Sequence, residues 1–114
     1  MPKLSVRLAS RTEPREGGRY RIEKVEEVTT PVRGYKGLRV TMRNAADKND
    51  TETYTTMLWL RDTAGSNSKI GSFIAAFTKF FGDEEKALDP ENWVGHTIYM
   101  VSWQDRNREV KVVE

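Results

Sequence analysis

Arg39, Arg43, Met57 and Trp59 fall at alternate positions of two segments rich in strand-forming residues, GLRVTMR (37–43) and ETYTTMLWLR (52–61). Alternate positions of a strand share a face. Guanidinium groups and an indole are therefore expected side by side on one surface. That mixture suits a ligand carrying both negative charge and flat rings, because arginine donates to phosphate through a planar fork and an aromatic ring stacks on a base. The flanking stretches add to it. Arg33, Tyr35 and Lys36 stand in TTPVRGYK (29–36), Lys48 in NAADKNDT (44–51), and Tyr54 and Arg61 near the two ends of the second segment. Trp103 precedes QDRNR (104–108), whose Arg106 and Arg108 are placed to close a groove from the other side.

Each candidate also has a bland reading. Trp59 is either a core residue or a stacking platform, and Tyr54 either packs or stacks. Tyr35 lies in a Pro/Gly turn, where a ring is hard to bury. Trp103 either stacks or covers the end of the barrel, and Trp93 reads as a lid on the core. Arg39 and Arg43 also suit a solvated sheet face.

Other chemistries find little support. The chain has no cysteine and one histidine, His96, so disulfides, cysteine metal sites and a Ser–His–Asp triad have no residues to use. Asp83, Glu84 and Glu85 read as solvated carboxylates on a loop, and 47–50 lacks the spacing of a calcium loop. GSNSK (65–69) lacks the spacing of a phosphate loop. A nuclease would need carboxylates on the arginine face, and the expected face has none. No enzyme activity, metal or cofactor is expected.

The 114 residues suit one domain. The net charge of +2 hides an asymmetry: residues 1–43 hold eleven Lys/Arg against five Asp/Glu, a balance of +6, and residues 44–114 hold eight against twelve, a balance of −4. Such polarity directs one face toward a polyanion, although scattered surface charge gives the same totals. No apolar run approaches the roughly 20 residues of a membrane span, and no signal-peptide core is present. A soluble, intracellular and cytoplasmic protein without membrane contact is expected.

The residues that position the candidate face are read from periodicity. Residues 68–81 (SKIGSFIAAFTKFF) repeat apolar side chains at steps of three and four, which puts Ile70, Phe73, Ile74, Phe77, Phe80 and Phe81 on one helical face. Ser66 or Ser68 can cap its start and Gly82 its end. RYRIEKVEEV (19–28) is a strand whose apolar residues Tyr20, Ile22, Val25 and Val28 change from a step of two to a step of three, as a β-bulge would require. Leu58 and Leu60 are assigned to the core and Trp59 to the outer face. Asp89–Pro90 starts a single helical turn, and 96–103 with 109–113 form a second hairpin. Residues 3–8 alternate like a short strand, 9–18 read as a loop or mobile arm, and 1–17 are set apart from a domain spanning 18–114. Three strands, a helix and two strands predict a mainly β fold, a five-stranded OB-fold Greek-key barrel with the helix between strands three and four.

From Gly18 to Val113 the chain resembles the small OB-fold single-stranded DNA-binding proteins of phages and archaea. GRYRIEKVEEV, GLRVTMR, YTTMLWL, SKIGSFIAAF, WVGHTIYMVSW and REVKVV carry the likeness, with Val94–Gly95 matching the pair that opens the fourth strand. The resemblance implies binding of single-stranded DNA, or RNA, across the second and third strands and the loops beside them. It also implies an acidic C-terminal tail for partner proteins, which the sequence ending at Glu114 does not contain. Two readings stay open: a largely sequence-independent nucleic-acid binder, with DNA favoured, and a small-barrel adaptor that binds protein or forms a homodimer through the same apolar residues.

Overall fold

The computed structural model describes residues 13–60, 65, 68–104 and 107–114. The strand expected at 3–8, and the candidates Arg61 and Arg106, lie outside the described residues. Five strands, β1 (Arg19–Thr29), β2 (Lys36–Asn44), β3 (Thr53–Trp59), β4 (Thr97–Gln104) and β5 (Asn107–Val112), form one antiparallel sheet in the order β3-β2-β1-β4-β5. Between β3 and β4 come α1 (Lys69–Phe81), α2 (Glu84–Ala87) and a 3-10 turn (Pro90–Trp93).

The bulge expected in β1 is present. The register with β2 shifts between Ile22 and Lys24, leaving Glu23 as the extra residue. Tyr20 and Ile22 therefore face inward before it and Val25 after it, which accounts for the step of three from Ile22 to Val25. Val28, read in the same apolar series, is corrected to the opposite face, where it pairs with Gly37. β4 carries a second shift between Met100 and Ser102. Bulges bend a strand and increase its twist, so the sheet curls around α1. Phe73 and Phe77 of the helix are fully buried with Ile22, Val40, Met42, Leu58, Ile98 and Met100 of the sheet. Burying each such side chain stabilises the fold by roughly 1.5–3 kcal/mol. Trp93 closes this core as expected: its ring stacks on Phe77 at 5.3 Å and its Nε1 donates to the Ala87 carbonyl at 2.8 Å.

α1 begins where Ser68 Oγ accepts from the Gly71 amide at 3.0 Å and ends at Gly82, whose φ of 69° is left-handed. The apolar stripe is wider than the core it meets. Phe80, expected inside, is 45% exposed and sets its ring edge against His96. Leu60 is likewise corrected from core to surface, at 43% exposed, because β3 ends at Trp59. The acidic stretch read as a loop contains α2, with Asp83 accepting from the amides of Glu85 and Lys86 and with Glu84 and Glu85 in its first turn. Carboxylates there complement the exposed N–H groups and dipole of a helix start.

The expected closure into a barrel is not found. Among the described residues β3 and β5 are the two edges of the sheet, and α1 lies against both. Residues 13–18 run beside β4, with the Gly17 amide donating to Met100 at 2.6 Å and the Met100 amide to Gly18 at 2.9 Å. Among the described residues no helix is long and apolar enough to cross a membrane.

Candidate functional site

The alternation of β2 and β3 sorts the candidates. Leu38, Val40 and Met42 with Tyr54, Thr56 and Leu58 face the core. Arg39, Thr41 and Arg43 pair across with Met57, Thr55 and Thr53 on the opposite face. Trp59 pairs with Gly37 on this outer face and is 41% exposed. Its assignment outside and that of Leu58 inside agree with the sequence reading.

Gly37 explains how the indole sits. A Cβ added there would stand 2.9 Å from Cε3 of Trp59, so the ring lies across the bare glycine backbone. An aromatic ring over a strand glycine shields backbone that has no side chain of its own. The contact braces one side of the ring against the strand. Tyr35 stands just before β2 and is 57% exposed, in a turn closed by the Thr30 amide donating to its carbonyl at 2.8 Å. The outer column of β2 thus reads Gly37 under Trp59, Arg39, Thr41 and Arg43, with Tyr35 exposed in the turn before it. Lys36 is exposed but falls in the other phase, with Leu38 and Val40, and Arg33 is exposed in the turn.

Tyr54 is corrected from candidate platform to core residue. It is 5% exposed, packs against Tyr20 with ring centroids 4.8 Å apart, and donates its hydroxyl to Asp50. Asp50 also accepts from Asn44 Nδ2 and from the Glu52 amide, each at 3.0 Å. These bonds, the Tyr54 hydroxyl first among them, hold the Asp50 carboxyl below its ordinary value. The same bond to Asp50 pushes the Tyr54 hydroxyl up to about 12. The loop expected to be a flexible hairpin connection is built around this carboxylate. It presents Lys48 at the surface beside a groove of about 430 Å³ lined by Arg21, Arg43 and Lys48 together with Glu23, Asp47 and Asp50.

Trp103 and Arg108 belong to a different place. Trp103 packs edge-on against Phe73 at 5.9 Å, and the Arg108 guanidinium lies 5.4 Å from its ring centroid. Its Nε1 donates to Glu13 and its amide to Glu16, both at 3.3 Å, and Glu13 also pairs with Lys69 at 3.1 Å. The ring covers the end of the core beside α1, one of the two roles foreseen for it. It does not join the outer face of β2 and β3.

Residues that the sequence reading left out share that outer face. Register sets Arg21 beside Arg43, Lys24 beside Thr41 and Glu26 beside Arg39, and Arg19 lies over the Tyr99 ring at 5.7 Å. The expectation of a carboxylate-free face is therefore corrected by Glu26. The alternation that put Tyr20 and Ile22 inward was the available signal for Arg19 and Arg21. The chain has no significant match to any family model, curated protein or solved structure.

Proposed function

We propose that the protein binds single-stranded nucleic acid, DNA in preference to RNA, on the outer face of β1–β3, and that its open sheet is a variant of the OB-fold barrel. The observation that carries the reading is the Trp59 ring laid over Gly37, with Arg39 and Arg43 farther along the same face of β2 and Tyr35 exposed in the turn before it. Bases stack on the two rings and phosphates run along the arginines. The strand order, the bulge in β1 and the helix between β3 and β4 support the OB-type reading. Stacking contributes roughly 1–3 kcal/mol per base, so Trp59→Ala is expected to weaken binding of a labelled oligonucleotide by about 5- to 150-fold. Arg39→Glu weakens it further at low salt. The logarithm of the affinity falls against that of salt with a slope of about −0.7 for each phosphate neutralised. Unchanged affinity in both variants contradicts the site.

One observation favours a second reading. Among the described residues nothing pairs with the free edge of β3, whose sequence TYTTMLW contains no charge and no proline. Such edges accept an added strand from a partner or a second copy. This reading predicts self-association or a protein complex that salt does not weaken, measured by sedimentation, and no oligonucleotide binding.

A further inference from the structure

Glu26 is out of place on a surface that attracts phosphate. Its carboxylate repels the backbone of any polyanion, yet the bulge at Glu23 sets the phase that carries Glu26 outward beside Arg39. Two adjacent rows define its surroundings: Val28–Gly37–Trp59, and next to it Glu26–Arg39–Met57. The Trp59 ring covers Gly37. Arg39 follows Gly37 by two positions, about 7 Å along the strand, and Glu26 stands on the diagonal at about 7–8 Å. A base stacked on the open side of the indole would bring one polar edge within reach of both side chains.

The two groups are chemically opposite. An ionised carboxylate only accepts hydrogen bonds, and a guanidinium only donates them in a planar fork. The Watson–Crick edge of cytosine has the matching pattern, an exocyclic amine beside two acceptors. Thymine, of the same ring size, offers a carbonyl where cytosine has the amine, and that carbonyl would face the carboxylate. Glu26 already holds a cation, Lys24, at 3.4 Å, with side chains 37% and 63% exposed. Surface pairs of this kind contribute little, so the carboxylate can exchange lysine for a base amine at small cost.

Resting on the single-strand reading above, we propose that Glu26 and Arg39 together select the base stacked on Trp59, favouring cytosine over thymine and uracil through its exocyclic amine. Glu26 is a specificity-determining residue, and its loss changes the preference while leaving the ability to bind.

The test compares labelled oligomers of deoxycytidine, thymidine and deoxyuridine of one length, titrated with the wild-type chain and with Glu26→Gln. The expected result is about a tenfold preference for deoxycytidine over both others in the wild type. In Glu26→Gln the preference falls toward unity, chiefly because thymidine binding tightens. If Glu26 merely repels phosphate, the variant tightens all three oligomers equally and the ratio is unchanged, which overturns the proposal. Equal wild-type affinities for the three oligomers overturn it too and leave the single-strand reading standing. Absence of binding to every oligomer overturns both.

Discussion

Trp59 and Trp103 each sit near the end of a strand with arginine nearby, and the fold uses them in opposite ways. Trp59 leans on a glycine and leaves its other side to solvent. Trp103 packs against Phe73, lies beside the Arg108 guanidinium, and has both its amide and its indole nitrogen bonded to Glu16 and Glu13. An aromatic ring serves as a platform when one side is braced and its polar atoms are not spent on tertiary contacts. A ring held on several sides is structural, however many cations surround it.

The comparison is most strongly tested by truncating the structural ring. Trp103→Ala opens the end of the core beside α1 and is expected to cost about 3 kcal/mol of stability by chemical denaturation. Oligonucleotide affinity of the folded fraction should stay within twofold of wild type. Affinity that collapses while stability holds would reverse the two roles.

Gly37→Ala probes the other ring. The added methyl would stand 2.9 Å from the indole, which must lift or rotate. Oligonucleotide affinity is expected to fall about fivefold, close to 1 kcal/mol, with the surroundings of Trp103 unchanged. Unaltered affinity would show that the position of the indole does not matter to binding.

How much of this difference is readable from sequence depends on the range of the contacts. Period-two alternation puts Leu58 and Trp59 on opposite faces without deciding which is inward, and period-three-and-four spacing with Ser68 and Gly82 delimits α1, because both depend on neighbours in the chain. The fate of Trp103 depends on Glu13 and Glu16, nearly ninety residues away, and no local pattern reports that. Tyr54 was ambiguous because both faces of its segment carry apolar residues, and only the Tyr20 ring and Asp50 decide it. Leu60 follows the core phase of β3 but lies beyond the strand's end, where alternation no longer implies burial. Glu26 is not legible from β2 and β3 alone, because β1 joins their outer face only through long-range register.

The smallest expected effect concerns the loop that carries Lys48. Tyr54 ionises at about 12 in the fold, above its ordinary value of 10.0. Its bond to Asp50 therefore contributes stability below pH 10 that is lost as pH rises toward 12. Asp50 has the opposite sign: its carboxyl is held below the ordinary 3.8, so its contribution is present above that pH and is lost as pH falls through the lowered value. Tyr54→Phe should lower the thermal midpoint slightly at neutral pH and flatten its decline between pH 10 and 12. An identical alkaline decline in the variant would show that another group is responsible.

The most direct measurement is a two-dimensional amide and indole nuclear magnetic resonance titration with a short single-stranded oligonucleotide. Binding on the outer face predicts progressive shifts of the Trp59 indole N–H and of the Gly37, Arg39 and Met57 amides, while the Trp103 indole N–H stays in place. Shifts centred on Trp103 with Trp59 unmoved, or no shifts at low salt, would contradict it.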